Sequence, residues 1–231
     1  MLIHILTLFP KMFAGPFGES IVKRAQEKGL VEIKIHNLRQ WAIDKRGTVD
    51  DRPYGGGTGM VLRIEPLYNA LKELTNDWSK KNQKTILLTP RGKTFNQKKA
   101  RQLAKLQEII LICGHYEGFD ERIKKFVDEE ISLGDFVLTG GEIPAMAITD
   151  AVVRLLPGVL KKEEASQIES FSPGLKKISS RLSKPDFELL AEYPQYTRPE
   201  KFLGLKVPKA LLSGDPKKIK EWQERHIIPK K

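Results

Sequence analysis

Only one cysteine occurs in this chain, Cys113, so no internal disulfide can staple the fold. That suits a reducing compartment and predicts a cytoplasmic protein. Cys113 closes the apolar run Ile109–Cys113 and reads as a small buried residue. Long hydrophobic runs are missing too. None approaches the roughly 20 residues of a membrane span, so no membrane partner is expected. The opening MLIHILTLFP is apolar but lacks a basic start and meets Lys11 at once, so it reads as a first strand rather than a signal peptide. The four histidines, His4, His36, His115 and His226, are scattered, with no H-E-x-x-H and no Cys/His spacing, so no metal site is expected. His4 and His36 fall in strand patterns and read as packed or hydrogen-bonded residues. The P-loop pattern G-x-x-x-x-G-K-[ST] is absent, which excludes a P-loop NTPase. There is no G-x-S-x-G and no evident Cys–His–Asp set. Those absences favour direct transfer between bound substrates over a covalent enzyme intermediate.

What is present begins with positive charge. The net charge is +11 over 231 residues, and hydrophobic residues make up 40%, enough for a packed core. The charge is uneven. Residues 161–231 hold 16 Lys and Arg against 10 Asp and Glu, whereas residues 1–160 hold 24 against 19. A basic module appended to a larger domain suggests an anionic polymer, nucleic acid first. The alternative is that the lysines only keep the protein soluble.

Alternating patterns predict strands at Leu2–Leu8, Val31–Asn37, Thr85–Thr89, Glu108–Cys113 and Ile131–Leu138. Helices are predicted at Glu19–Lys28, Glu65–Lys80, Asn96–Leu106, Asp120–Asp128 and Glu142–Leu156. The fold class is therefore α/β with a mainly parallel sheet. Pro157-Gly158 closes this domain, residues 1–160. Residues 161–198 read as a polar linker. Residues 199–231 read as a small basic helical domain with a helix at Pro216–Ile227, begun by Asp215 and a proline in the first turn.

Ligands on parallel sheets sit beyond the C-terminal strand ends. Those ends carry Thr89-Pro90-Arg91-Gly92, Gly114-His115-Tyr116-Glu117 and Thr139-Gly140-Gly141. Glycines there let backbone groups approach a flat ligand closely. In the most informative stretch, Leu133–Ala145 (LGDFVLTGGEIPA), Phe136–Leu138 is read as a buried strand that breaks at Gly140-Gly141.

The order of segments resembles one family. LTLFPKMF at Leu6–Phe13 is followed by TVDDRPYGGGTGM at Thr48–Met60, LTPRG at Leu88–Gly92 and CGHYEGFDERI at Cys113–Ile123. LGDFVLTGGEIPA, DAVVRLLPGVL at Asp150–Leu160, ESF at Glu169–Phe171, YTRPE at Tyr196–Glu200 and LLSG at Leu211–Gly214 complete the series. Together they resemble the bacterial tRNA (guanine-N1)-methyltransferases, the TrmD family of the SPOUT class. The resemblance implies a C-terminal trefoil knot in the α/β domain that binds S-adenosylmethionine. It also implies tRNA as substrate, with N1 of the guanine at position 37 as acceptor. It further implies a homodimer whose subunits share each site, and dependence on Mg²⁺, although no residue here identifies the ion's site.

Residue by residue, the resemblance puts the cofactor on Leu88, Thr89, Pro90, Gly92, Gly114 and Tyr116. It continues through Leu133, Gly134, Asp135, Phe136, Val137 and Leu138 to Gly140 and Gly141. The target base falls to Tyr54, Gly59, His115 and Glu117. Arg198, Lys217, Lys218, Lys220 and Arg225 are expected at tRNA phosphates. Methylating N1 requires a base for its proton and a cation for the charge that builds at O6. The family's linker aspartate corresponds here to Glu169, and its arginine to Arg154. His115 stands where the family usually has arginine, and Leu87 where an aromatic is common. Two other readings stay open: a SPOUT ribose 2′-O-methyltransferase or one acting on ribosomal RNA, and a catalytically silent RNA-binding protein. In the plainest readings Glu169 is a solvated linker charge and Arg154 an ion-pair partner of Asp150.

Overall fold

A computed structural model describes residues 1–75, 82–161, 169–172, 174–175 and 190–229. The chain divides into two compact units, Met1–Leu160 and Lys161–Lys231.

The first unit is built on five strands: β1 (Leu2–Thr7), β2 (Glu32–Asn37), β3 (Gln83–Thr94), β4 (Glu108–Cys113) and β5 (Glu129–Ser132). They pair in the order β2-β1-β4-β3-β5, every pair parallel. The helices are α1 (Ser20–Glu27), α2 (Ile64–Thr75), α3 (Gln97–Leu103) and α4 (Glu142–Val153). Side chains alternate across a strand, so a run such as Glu108–Cys113, apolar after its first residue, can fill both faces at once. Ile109 and Leu111 join Ile3, Ile5, Ile86 and Leu88 on one face, under α1, α3 and α4. Ile110 and Ile112 join Leu6 and Leu87 on the other, under Leu67 and Leu71 of α2. α3 starts where the Asn96 side chain accepts the Lys99 N–H.

Three elements differ from the sequence expectation. β3 does not stop at Thr89. Leu88 and Lys93 both pair with Ile131, so Thr89–Gly92 loops out while the strand continues on either side. Residues 120–128 form a short 3₁₀ helix, Glu121–Phe126, rather than an α-helix; Asp120 caps it by accepting the Arg122 N–H. Phe136–Leu138 is not a buried strand. β5 ends at Ser132, whose Oγ donates to the Gly134 carbonyl and accepts the Gly134 N–H, turning the chain off the sheet. Phe136 is 55% exposed and Val137 83%. The predicted end of α2 at Lys80 lies outside the described residues.

Among its described residues the second unit, expected to be helical over 199–231, also contains two short antiparallel pairs. β6 (Leu190–Ala191) pairs with β9 (Ile228–Pro229), and β7 (Lys201–Phe202) with β8 (Leu205–Lys206). α5 (Pro216–His226) begins where the Asp215 carboxylate accepts the Lys217 and Lys218 N–H groups. Its inner face stacks Trp222 on His226, ring centres 4.0 Å apart, with the edges of Tyr193 and Tyr196 against Trp222. Leu175, Leu190 and Ile227 form a small core beside Tyr193.

Candidate active site

A cavity of about 400 Å³ opens at the C-terminal ends of β3, β4 and β5. The wall from β3 is the looped-out segment, with Leu88, Thr89, Pro90 and Arg91. The wall from β4 is Gly114 to Phe119. The third wall follows β5, from Ile131 through Leu133 and Phe136–Leu138 to the glycine turn before α4.

The floor depends on two backbones passing almost in contact. Gly141 donates its N–H to the Gly114 carbonyl at 2.7 Å, and His115 and Gly140 form an isolated antiparallel bridge. A Cβ at Gly141 would lie 2.6 Å from the Cys113 Cα and 2.7 Å from the Gly114 N. Only glycine permits that approach. Behind the floor, Glu142 is buried and its Oε1 accepts the Thr7 hydroxyl at 2.7 Å. Burial, with the Glu142 charge nearby, pushes the Cys113 thiol well above its ordinary pKa, which keeps it a neutral apolar residue.

The β4 wall is aromatic. Tyr116 holds a left-handed backbone, φ 56°, a conformation uncommon for a bulky residue and frequent where a site stores strain. Its ring meets His115 edge-on at 4.9 Å, and Phe9 packs on the other side of His115 at 4.8 Å. The buried His115 Nδ1 has no hydrogen-bond partner among the described residues. Glu117 donates its backbone N–H to the Met60 carbonyl, which seats the 52–60 loop beside it.

Most of the residues expected at the cofactor therefore converge on this cavity. Gly92, Gly134 and Asp135 do not line it. Gly92 serves the sheet instead: a Cβ there would strike the Glu130–Ile131 backbone of β5. Gly134 packs under the Phe136 ring. Of the residues expected at the target base, His115 and Glu117 line the cavity, whereas Tyr54 and Gly59 do not. Tyr54 is fully exposed in a hairpin loop between Asp50–Asp51 and Val61–Leu62. Gly59, with φ +86°, lies against the Glu117 side chain. Sequence reasoning missed Ser132 and Phe119, whereas Arg91 and Thr139 fall in the strand-end loops it had singled out without being assigned to a ligand. Arg91 sits between two residues it did name, and its guanidinium meets Glu121 at 3.0 Å.

The two residues expected to carry the chemistry lie on different units. Arg154 follows α4 as its C-cap, half-buried, its N–H donating to the Asp150 carbonyl. Glu169 opens a pinned turn in the second unit. The Phe171 N–H reaches the Leu190 carbonyl at 2.7 Å, the Ser172 N–H reaches the Glu169 carbonyl, and Ser170 Oγ accepts the Glu192 N–H. Arg198, Lys217, Lys218, Lys220 and Arg225 are exposed, the last four along α5.

A parallel sheet with a glycine-floored cavity beyond its strand ends is the arrangement in which α/β proteins place small-ligand sites. The family model for tRNA (guanine-1)-methyltransferase TrmD matches residues 1–230. A curated tRNA (guanine-N(1)-)-methyltransferase of Dictyoglomus turgidum is 51% identical over 228 residues, covering 99% of this chain and 85% of the relative. The Bacillus subtilis protein of the same name is 51% identical over 229 residues, covering 99% and 88%. The crystal structure of tRNA (m1G37) methyltransferase from Aquifex aeolicus superposes with a TM-score of 0.75 at 42% identity, covering 98% of this chain and 88% of that one. The chain belongs to the TrmD family of tRNA (guanine-N1)-methyltransferases.

Proposed function

We propose that this protein transfers a methyl group from S-adenosylmethionine to N1 of the guanine at position 37 of tRNA, beside the anticodon. The observation that carries the reading is the glycine-floored cavity at the ends of β3, β4 and β5, in a chain that matches the TrmD family over residues 1–230. The cavity, about 400 Å³, suits a nucleoside-sized ligand, and Leu88–Pro90, Gly114, Leu133, Phe136–Leu138 and Gly140 would hold the cofactor there. When bound, the cofactor supplies an electrophilic methyl group on a sulfonium.

The chain's own residues do the rest. The loops keep water from the reacting centre and hold the acceptor in line, from which much of the rate comes. Glu117 accepts hydrogen bonds from the guanine edge. Glu169 takes the N1 proton as general base. Arg154 stabilises the charge that builds at O6. Supporting these roles, Glu169 is a carboxylate presented by a turn tied at three points, and Arg154 is fixed at a helix end. Among the described residues no group of three His, Cys, Asp or Glu is placed to hold a metal ion, so no residue is assigned to the Mg²⁺ that the family resemblance implies.

We further infer a homodimer with shared sites and a trefoil knot through the segment after β5. Exposed Phe136, Val137 and Ile143, grouped near the cavity rim, support a self-contact there. Unit 2, with its exposed cations on α5, is the proposed tRNA-binding part. No described helix is long and apolar enough to cross a membrane. The test is methyl transfer from labelled S-adenosylmethionine to an unmodified tRNA transcript carrying guanine at positions 36 and 37, against the same transcript with adenine at 37. Transfer to both, or to neither, overturns the assignment.

A further inference from the structure

The hairpin β7–β8 in the second unit breaks two local rules at once. Its strands are joined by Leu203-Gly204, both with positive φ, 46° and 87°. That two-residue turn normally takes Asn or Gly at its first position, and a leucine there is strained. The leucine is nevertheless displayed to solvent, 87% exposed. Phe202 and Leu205 stand directly opposite each other across the pair, 61% and 74% exposed. Opposite residues of an antiparallel pair share a face, so the hairpin shows solvent one apolar face. On the other face Lys201 stands directly opposite Lys206, both exposed, with no ion pair to either among the described residues. Like charges placed so are mutually destabilising.

Each feature is unfavourable in the free protein, and one kind of partner relieves both. An unstacked RNA strand offers bases for the apolar face and phosphates for the paired lysines. A second copy of this chain seated on the apolar face would relieve only the first, because it would leave the lysine pair on the other face without a counter-charge. We propose that the β7–β8 hairpin is a stacking platform for an unpaired nucleotide of the tRNA substrate other than the methylated guanine. Phe202 stacks on the base, and Lys201 and Lys206, on the opposite face, take phosphates farther along the strand where it wraps the hairpin. This rests on the tRNA reading above and extends it to residues outside the cofactor cavity.

The test measures tRNA binding by the full-length protein across a series of salt concentrations, with S-adenosylmethionine affinity by calorimetry in parallel. Phe202→Ala should weaken tRNA binding roughly 5- to 150-fold, the range for losing one base–aromatic stack, with the salt slope unchanged. Phe202→Trp should restore it and Phe202→Leu should not. Lys201→Ala with Lys206→Ala should instead lower the slope by about 1.4–1.8. Cofactor affinity and melting temperature, unchanged in all four, establish that the fold is intact. Hairpin variants that bind tRNA with wild-type affinity and slope, while the wild type methylates it, overturn the platform and leave the enzyme reading standing. Variants that lose self-association in sedimentation but keep tRNA affinity make the face a subunit contact and also overturn it. A wild type that neither binds nor methylates tRNA overturns the function reading itself.

Discussion

Gly141→Ala is the sharpest single test of how the cavity is built. The added methyl would sit 2.6 Å from the Cys113 Cα and 2.7 Å from the Gly114 N. Both are main-chain atoms of a buried strand end, so neither can swing away as a side chain could. The two backbones must part, and the Gly141 N–H to Gly114 carbonyl bond, 2.7 Å in the native chain, is strained or lost. Overpacking costs about 1–3 kcal/mol and a lost hydrogen bond about 0.5–1.5, so the variant should lose about 2–4 kcal/mol. For a chain of this size that is a drop of roughly 5–15 °C in melting temperature. Because the same movement opens the floor, S-adenosylmethionine affinity should fall with it. Gly15→Ala is the control: nothing lies within 4 Å of where its Cβ would stand, and its backbone needs no positive φ. It should leave both measurements near wild type. Scanning calorimetry and titration calorimetry on the three proteins decide the matter. A Gly141→Ala protein that melts and binds like wild type would refute the close-approach argument.

Burial, chiefly, depresses both His4 and His36, which stack and share a 2.8 Å hydrogen bond. Their folded values lie below the unfolded value of about 6.5, so the unfolded state binds more protons; stability is full above that pH and falls as pH drops through it. Melting temperature should therefore decline from about pH 7.5 to about pH 5, and His36→Gln should flatten that decline; an unchanged slope would clear the pair of the effect. Glu169→Gln should slow single-turnover methyl transfer by about 10²–10⁴-fold with cofactor affinity intact, and higher pH should partly restore it. Wild-type rates across pH in that variant would move the base role to Glu117. Replacing Lys217, Lys218, Lys220 and Arg225 together should weaken tRNA binding and flatten its salt dependence. A fall in affinity at constant slope would make them a solvated face.

The sheet is legible in the sequence because its strands carry their own signal. Glu108–Cys113 has matching bounds in sequence and structure, since five consecutive apolar residues fill both faces of a central parallel strand. The expected β3 stops short because Pro90 and Gly92 read as punctuation. They are punctuation, but of a loop-out inside a strand that resumes at Lys93, and only the pairing with Ile131 reveals it. Phe136–Leu138 departs from expectation for another reason. An apolar triplet normally signals burial, and here Phe136 and Val137 stay exposed while Leu138 is half-buried. Such a residue is better read as a request for a partner, whether a ligand in the cavity or a second subunit.

The glycines show where one-dimensional reading stops. Gly92 and Gly141 are the same letter in similar strand-end loops, and the sequence points both to the cofactor. What separates them is the neighbour each must pass: β5 for Gly92, the end of β4 for Gly141. One holds strands together and the other shapes the floor of a site. The same holds for His115. Its sequence context predicts a place at the target base, but the aromatic contacts and the Nδ1 that has no partner among the described residues depend on Phe9, Tyr116 and Gly140, set along separate stretches of the chain. A buried imidazole nitrogen with no partner costs free energy unless a bound group completes it. Where the family resemblance leads one to expect a long arginine, this chain presents a shorter ring packed between Phe9 and Tyr116 at the cavity wall.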